Sequence, residues 1–195
     1  MMEPIFVTGN DHKYQEATTL FNGIGMSLGR EDLGYPEIQA DTLEEIAEEG
    51  ISWCMEKLKK PCFIEDAGIF IDALKGFPGP YSKYVFQTIG NEGILRLLEG
   101  ETVRRATFRS VIAYHDGEDK HLFVGETVGS IANEALGRRG FGYDPLFIPG
   151  DYDKTFAQMG TEYKNKLSHR GKSLNKLVNY FKEHKQVDNN GENAF

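Results

Sequence analysis

The stretch Ile5-Phe6-Val7-Thr8-Gly9-Asn10-Asp11-His12-Lys13-Tyr14-Gln15-Glu16 joins an apolar run to a helical pattern through a glycine turn. A helix N-terminus carries unpaired backbone N–H groups and about half a positive charge. Lys13 adds a full charge in the first turn, so the stretch predicts a cradle for an anion, phosphate first of all. Its spacing matches neither the Walker pattern nor the dinucleotide G-x-G-x-x-G. Without support from the rest of the chain, an ordinary strand-turn-helix with Gly9 serving backbone geometry is the better interpretation.

The composition predicts one domain that needs no metal or disulfide to fold, because 195 residues can bury a sizeable core. Cys54 and Cys62 are not spaced as a C-x-x-C pair and are predicted to be buried small apolar residues. The chain shows no signal-peptide pattern and no apolar run long enough to span a bilayer. We therefore expect a cytoplasmic protein with no membrane partner, one two-lobed domain over residues 1–186 and a disordered tail over residues 187–195.

The net charge limits the partners of the chain. Its 30 acidic and 22 basic residues give a formal charge of −8. Binding to a nucleic-acid polymer depends on many lysines and arginines that release counterions, so no such partner is expected. A small polyphosphate remains allowed, because charges are screened within roughly 8–10 Å at ordinary ionic strength.

Strand and helix signals alternate and then give way to two consecutive strands, which predicts an α/β fold with a mixed sheet and a groove between two lobes. One helix follows the glycine turn and ends near Gly23, and the capping-box spacing of residues 42–45 starts a second. Short strands are expected at 62–64 and 69–71, a loop at 76–83, a helix at 91–98, strands at 106–114 and 120–129, and a last helix from Ser168. This arrangement places the carboxylates of residues 65–66 at a strand end.

Two acidic residues are candidates for holding a divalent cation. Polyphosphate chemistry requires charge neutralisation, which Mg²⁺ provides through one or two carboxylates, water and phosphate oxygens. Glu37 precedes an acidic helix, and Asp66 lies where ligand groups usually occur in α/β sheets. Taken singly, each is better interpreted as a solvated acid. The acid cluster on that helix, Glu44, Glu45, Glu48 and Glu49, is better explained as a solvated helix face.

Asp66 also suggests a reaction. A carboxylate next to an attacking water can orient it or accept its proton. The cysteines and serines show no spacing typical of an activated nucleophile. The hypothesis is therefore direct attack by water, with no covalent intermediate.

A second group of motifs is suited to a flat ring. Phe141 lies between Gly140 and Gly142, with Asp144 three positions on and before a proline. The alternative is a hydrophobic loop that closes the core. The segment Lys164-Asn165-Lys166-Leu167-Ser168-His169-Arg170 gathers donors at a helix start, where basic groups are usually disfavoured; its alternative is a solvated basic helix end.

Five motifs, taken in order, resemble the inosine/xanthosine triphosphate pyrophosphatase family, also called Ham1-like. They are the Thr8–Glu16 stretch, Glu65-Asp66-Ala67-Gly68, Pro78-Gly79-Pro80-Tyr81-Ser82-Lys83, Phe141-Gly142-Tyr143-Asp144 and Ser168-His169-Arg170. The resemblance covers nearly the whole chain. It implies an elongated two-lobed α/β fold with a nucleotide cleft between the lobes, and usually a homodimer. The implied reaction is Mg²⁺-dependent hydrolysis of ITP, dITP or XTP to the monophosphate and pyrophosphate, a sanitation of the nucleotide pool, with Mn²⁺ as an alternative ion.

The same resemblance implies roles for individual residues. Thr8, Asn10 and Lys13 would hold the triphosphate within a substrate-binding stretch that includes Gly9, Asp11 and His12, assisted by Lys83. Glu37 and Asp66 would hold the metal, and Asp66 would also be the general base. Phe141 would stack on the purine beside Gly142 and Tyr143, with Asp144, Lys164, His169 and Arg170 lining its edge and ribose side. Donors at the 6-keto group would reject adenine, since leaving a buried donor unpaired costs roughly 1–3 kcal/mol.

Two positions depart from many relatives, and two other functions stay open. Ala67 stands where many have serine or threonine, so only its backbone N–H is expected to serve substrate, and Tyr143 stands where some have tryptophan. The open alternatives are a Maf-like pyrophosphatase acting on modified or pyrimidine nucleotides and a non-enzymatic nucleotide-binding protein.

Overall fold

The computed structural model describes the backbone of residues 3–191 and the side chains of residues 3–184. The strands are β1 (Ile5–Val7), β2 (Gly29–Glu31), β3 (Cys62–Ile71), β4 (Pro78–Gly79), β5 (Arg105–His115), β6 (Lys120–Ile131) and β7 (Phe147–Pro149). The helices are α1 (Asp11–Asn22), α2 (Leu43–Leu58), α3 (Ser82–Thr88), α4 (Gly90–Leu97), α5 (Thr161–Leu167) and α6 (His169–Gly191). None of the helices in residues 3–191 has the length and apolar character that a bilayer crossing requires.

The strands form one mixed seven-stranded sheet in the order β2-β1-β3-β5-β6-β7, with β4 paired to β3. β1 is parallel to β2 and β3, whereas β3, β5, β6 and β7 are successively antiparallel. β5 and β6 form the hairpin predicted at Asp116-Gly117, with His115 paired to Lys120. The predicted α/β class with a mixed sheet is confirmed.

β3 has a gap in the pairing along one of its edges. β5 pairs with β3 from Cys62 to Ile71, so β1 and β4 must share the opposite edge. There, pairing with β1 ends at Phe63 and pairing with β4 begins at Ile69. Among the described residues, no strand therefore covers that edge from Glu65 to Gly68, and this open edge forms the floor of a cleft.

Three groups of buried side chains cover the sheet. One contains Phe6, Phe63 and Phe181 and packs α1 and α6 on one face. A second contains Ile64 and Ile51 and packs α2 on the opposite face. The third packs the far ends of β3 and β5 against α3, α4 and the β7 region. Alternation of side chains along a strand explains why neighbours such as Phe63 and Ile64 belong to different groups.

Local sequence sets where the first two helices begin. The Asn10 side chain accepts a hydrogen bond from the Lys13 backbone N–H at 3.1 Å and so caps α1. Thr42 and Glu45 form the predicted reciprocal capping box at the start of α2.

Several predicted elements need correction. The expected strands at 62–64 and 69–71 are one continuous strand, β3, because β5 pairs with it throughout; placing Asp66 at a strand end was wrong. The predicted loop at 76–83 contains β4 and the start of α3, and β2, β7 and α5 were missed because they are short. α6 reaches Gly191, into the segment predicted to be a tail. Residues 192–195 lie outside the described residues, so the disordered tail and the 1–186 domain boundary stay predictions.

Gly125 sets how closely α6 lies on β6. A Cβ at this position would lie 2.1 Å from the His169 carbonyl oxygen and 2.5 Å from the Ser173 nitrogen, both backbone atoms of α6. Any larger residue must push the start of α6 away from the sheet.

We therefore predict that Gly125→Ala lowers the free energy of unfolding by about 2 kcal/mol or more, since backbone atoms cannot move aside cheaply. Urea unfolding monitored by circular dichroism measures this change. Gly160→Ala is the matched control, because its φ of −69° suits alanine and the nearest atom to an added Cβ is 4.0 Å away. Equal unfolding midpoints for the two variants would contradict the packing argument.

Candidate active site

A cavity of about 900 Å³ opens over the exposed edge of β3. Its wall comes from the β1–α1 turn, the segment between β2 and α2, β3, α3, β5, the loop before β7 and the start of α6. Lys13 and Phe141, predicted to hold opposite ends of a nucleotide, both line it. The predicted site residues on this wall are Thr8, Gly9, Asn10, Asp11, His12, Lys13, Glu37, Asp66, Ala67, Lys83, Phe141, Gly142, Tyr143, Asp144, His169 and Arg170.

The α1 N-terminus forms a cradle with one fixed cation. Thr8 Oγ1 accepts a hydrogen bond from the Asn10 backbone N–H at 3.1 Å, which closes the turn. Lys13 Nζ donates to the Glu65 carbonyl oxygen at 2.8 Å and lies 2.8 Å from Glu65 Oε2. An ammonium has three donors, so at least one remains for a ligand. Asp11 pairs instead with Arg30 at 2.7 Å.

Glu65 and Asp66 lie on opposite faces of β3 and therefore have different surroundings. Glu65 points towards α1 and α6 with a fully buried side chain, where Ser110 Oγ donates to it at 2.6 Å. Asp66 is on the face of α2, towards Tyr35 and Glu37, whose side chains also line the cavity. The open edge of β3 lets both faces contribute to one cleft.

A chain of ion pairs runs behind the cavity from Glu65. Arg170 Nε lies 3.2 Å from Glu65 Oε1, and Arg170 Nη1 donates to Glu16 at 3.1 Å. Lys164 lies 3.7 Å from Glu16 and 2.7 Å from Asp144. Burial alone would raise the pKa of Glu65, but the cations of Arg170 and Lys13 outweigh it and hold that pKa well below its usual range. The pairs also explain how a cation is tolerated at the N-terminus of α6, where the helix dipole disfavours it.

Asp66 has the opposite shift. Burial raises its pKa to about 6, with the carboxylates of Glu37 and Glu65 adding to the rise and Lys13 opposing it. Glu37 is more exposed and accepts a hydrogen bond from Lys83 Nζ at 2.9 Å. The Ala67 backbone N–H, which we expect to serve substrate, donates here to Asp66 Oδ1 at 3.2 Å.

The far wall of the cavity is aromatic. The Phe141 ring stacks on the His12 ring with centroids 5.2 Å apart and planes 10° apart. Lys164 Nζ and Arg170 Cζ lie 4.9 and 5.2 Å from the centre of the Phe141 ring. Tyr143 is buried, and its hydroxyl donates to the Ser82 carbonyl oxygen at 2.8 Å.

Asp144 and Lys164 differ in how they meet this wall. Asp144 Oδ2 accepts the Phe141 backbone N–H at 2.8 Å and binds Lys164 at 2.7 Å, so it fixes the shape of the loop. Gly140 is required in that loop, because its φ is +75° and a Cβ would lie 2.0 Å from Asp144 Oδ2. Lys164, which is on α5 and buried, does not line the cavity but holds Asp144 from behind.

His169 lies at the aromatic end of the cavity. Its ring stacks on Phe108 with centroids 4.4 Å apart and planes 7° apart. Burial lowers the pKa of His169 well below its usual value, and Arg170 lowers it further, so the ring is neutral at pH 7. Its buried Nδ1 has no hydrogen-bond partner among residues 3–184.

The arrangement therefore has a cationic end, an acidic centre and an aromatic end, in the order that a triphosphate, a metal and a base would need. The model of the Ham1 family matches residues 4–180. The chain belongs to the Ham1 family. The resemblance stated from the motifs is thereby confirmed.

Relatives and solved structures of the Ham1 family agree over almost the whole chain. A dITP/XTP pyrophosphatase of Thermococcus kodakarensis is 52% identical over 182 residues, which cover 93% of this chain and 98% of the relative. One of Methanopyrus kandleri is 53% identical, covering 93% and 97%. The Ham1 proteins of Staphylococcus aureus and Coxiella burnetii superpose with TM-scores of 0.81 and 0.84, at 28% and 27% identity, covering 94% of this chain and 100% of each of those chains.

Sequence reasoning missed several residues that line this Ham1 cavity or lie behind its wall. Glu65 was passed over beside Asp66, and Glu16 was quoted but given no role; the three-residue step from Lys13 to Glu16 along α1 was the available signal. Asp32 approaches the cradle so closely that a Cβ on Gly9 would lie 2.7 Å from its Oδ2. Phe108 carries no local signal, because its contact with His169 depends on how α6 packs on β5.

We predict that Glu65→Gln lowers the free energy of unfolding by about 3–5 kcal/mol, because it removes the carboxylate partner of Lys13 and leaves Arg170 with Glu16 alone. Urea unfolding at pH 7 checks this value. Glu162→Gln is the control, since Glu162 pairs with Lys166 on the surface at 3.0 Å. This substitution should change the free energy of unfolding by less than about 0.5 kcal/mol.

The difference between wild type and Glu65→Gln should shrink in acid. The pKa of Glu65 is lowered in the folded state, so its contribution is complete above the unfolded pKa of about 4.3 and is lost as the pH falls below it. A difference that grows in acid would contradict the assigned ion pairs.

Proposed function

We propose that this Ham1 protein hydrolyses non-standard purine nucleoside triphosphates, such as ITP, dITP and XTP, to the monophosphate and pyrophosphate. The observation that carries the proposal is the convergence of Lys13, Asp66 and Phe141 on one cavity. The names of the relatives, dITP/XTP pyrophosphatase, give the same substrate class.

The phosphates would bind at the α1 cradle. Backbone N–H groups at the helix N-terminus and the remaining Lys13 donor supply positive charge there. Thr8 and Asn10 shape the turn through their own hydrogen bonds, and Lys83 adds an exposed cation across the cleft.

The donor set suits Mg²⁺, with Mn²⁺ as a substitute. Glu37 and Asp66 both line the cavity, and repulsion between carboxylates there contributes to the raised pKa of Asp66, which a bound cation would relieve. No group of three or more histidine, cysteine, aspartate or glutamate side chains in the described residues is arranged to hold an ion. That agrees with an ion that takes one or two carboxylates and completes its shell with water and phosphate oxygens. When bound, Mg²⁺ would neutralise charge on the phosphates.

Asp66 would orient the attacking water and accept one of its protons. The water oxygen bonds to the α-phosphorus as the anhydride bond between the α- and β-phosphates breaks, and pyrophosphate leaves. Lys13, tethered to Glu65, stays close to the charge that develops on the leaving group.

The base would stack on Phe141, with its edge facing His169 and Arg170. His169 is neutral, so its ring offers one donor and one acceptor, and Arg170 keeps N–H donors beyond those bound to Glu16 and Glu65. Hypoxanthine and xanthine carry a carbonyl at position 6, which accepts such donors, whereas the amine of adenine would leave a buried donor unpaired.

Product analysis tests the proposal. Wild-type protein with Mg²⁺ should convert ITP to IMP and pyrophosphate and act far more slowly on ATP, dTTP and UTP. Orthophosphate as the product would contradict the assigned bond, faster turnover of dTTP or UTP would favour a Maf-like activity, and binding without turnover would favour a nucleotide-binding protein. We also propose cytoplasmic action as a homodimer, and light scattering would measure the oligomeric state.

We predict that Asp66→Asn lowers turnover of ITP at least a hundredfold without unfolding the protein, because the amide cannot accept the proton of water. The kcat measured with saturating ITP and Mg²⁺ checks this. Asp72→Asn, at an exposed position just after β3, is the control and should keep near-normal turnover. Near-normal turnover of Asp66→Asn would contradict its catalytic role.

We predict that Phe141→Ala mainly raises the KM for ITP, by roughly tenfold, since loss of a stacked ring costs about 1–3 kcal/mol. Steady-state kinetics with ITP check the split between KM and kcat. Inhibition by inorganic tripolyphosphate, which has no base, should be unchanged. An unchanged KM would mean that Phe141 only closes the core.

A further inference from the structure

The stack of His12 on Phe141 joins the two ends of the cavity. His12 is in the first turn of α1, next to Lys13, whereas Phe141 is in the loop before β7. Their rings are nearly parallel, with planes 10° apart and centroids 5.2 Å apart. His12 is exposed, so this contact is not required to fill the core.

The surroundings of Phe141 indicate from which side a base can approach it. Lys164 and Arg170 lie within 5.2 Å of the ring centre, but their side chains are only 6% and 5% exposed. An ion pair with Glu16 holds Arg170 in the wall, and an ion pair with Asp144 holds Lys164 behind it. Of the aromatic and cationic side chains against this ring in the described residues, His12 alone is exposed, so we take the approach that His12 covers as the accessible one.

We propose that His12 is the outer half of a clamp, and that the purine base inserts between the His12 and Phe141 rings. This inference rests on the proposed function. Two stacked contacts of about 3.5 Å each need about 7 Å between the planes, so the rings must separate beyond their present 5.2 Å centroid distance. An exposed side chain in the first turn of a helix can rotate outwards far enough to reach this separation without disturbing the core.

A two-sided clamp gives His12 a role in specificity. A purine has two fused rings and covers more of both walls than a pyrimidine, so the clamp favours purine nucleotides. Stacking uses the face of a base and tolerates different edge groups, which leaves the choice among purines to His169 and Arg170.

The test compares two substitutions that separate stacking from other effects. His12→Leu removes the ring, whereas His12→Phe keeps a flat ring and removes the imidazole nitrogens. Thr19→Ala is the control, because Thr19 is exposed two turns further along the same face of α1. The measurements are kcat and KM for ITP and UTP, the Kd of IMP by calorimetry, and inhibition by inorganic tripolyphosphate.

We expect His12→Leu to raise the KM for ITP and the Kd of IMP about tenfold, with kcat changed less than about threefold and tripolyphosphate inhibition unchanged. The ratio of kcat/KM for ITP to kcat/KM for UTP should fall by a similar factor. His12→Phe should stay within about threefold of wild type, and Thr19→Ala should be indistinguishable from it.

Three results would overturn the clamp. Unchanged KM and Kd in His12→Leu would mean that the histidine does not contact the base. An equal loss of tripolyphosphate inhibition would place its effect on the phosphates. A loss in His12→Phe as large as in His12→Leu would assign the effect to the imidazole nitrogens and not to stacking.

The IMP measurement separates this inference from the proposed function. If wild type releases no pyrophosphate from ITP, the proposed reaction fails, and the Kd of IMP still compares wild type with His12→Leu. If wild type binds tripolyphosphate but not IMP, the clamp is overturned.

Discussion

The arrangement of the cleft depends on one buried carboxylate, that of Glu65. It lies between Lys13 of α1 and Arg170 of α6, and its own backbone is held in β3 by pairing with β5. Three charges buried together are costly to desolvate, and the cost is offset only when the geometry brings them within hydrogen-bonding distance. α1 and α6 therefore cannot shift independently along the sheet without separating a buried pair. The Glu65 carboxylate therefore fixes the position of both ends of the cavity, the end at Lys13 and the end at Arg170.

The gap along β3 explains how a rigid strand can also carry a reactive side chain. Backbone pairing with β5 runs without interruption through Asp66 and fixes the position of its Cα from one edge of the strand. On the other edge, β1 has ended and β4 has not begun, so the side chain meets the cavity instead of another strand. A group held in place by the scaffold needs less reorganisation when substrate binds. This is a stricter arrangement than the strand end that the sequence suggested, where the backbone would be paired on neither side.

Interactions between near neighbours in the chain were predictable, and those that depend on packing were not. The capping box of Thr42 and the strand-turn-helix that contains Lys13 follow from short spacings. The order of motifs along the chain identified the Ham1 family. The role of Glu65 was not predictable, because a buried carboxylate is stable only beside cations from α1 and α6 that no local pattern brings together. Lys164 shows the converse: its motif was recognised, but α5 places it behind Asp144 and away from the cavity wall.

The start of α1 contributes to both ends of the cavity, through His12 against Phe141 and through Lys13 against Glu65. Successive residues of a helix point about 100° apart, so His12 and Lys13 cannot face the same wall. Lys13 reaches Glu65 on β3, and His12 reaches Phe141 on the opposite loop. A nucleotide that fills both places is held by one rigid turn of helix, which fixes the distance from its base to its phosphates. Because a misplacement of about 1 Å can cost a hundredfold in rate, a base that fits the aromatic wall badly would also misplace the anhydride bond relative to Asp66. Selection of the base and positioning of the phosphates are then coupled through the first turn of α1.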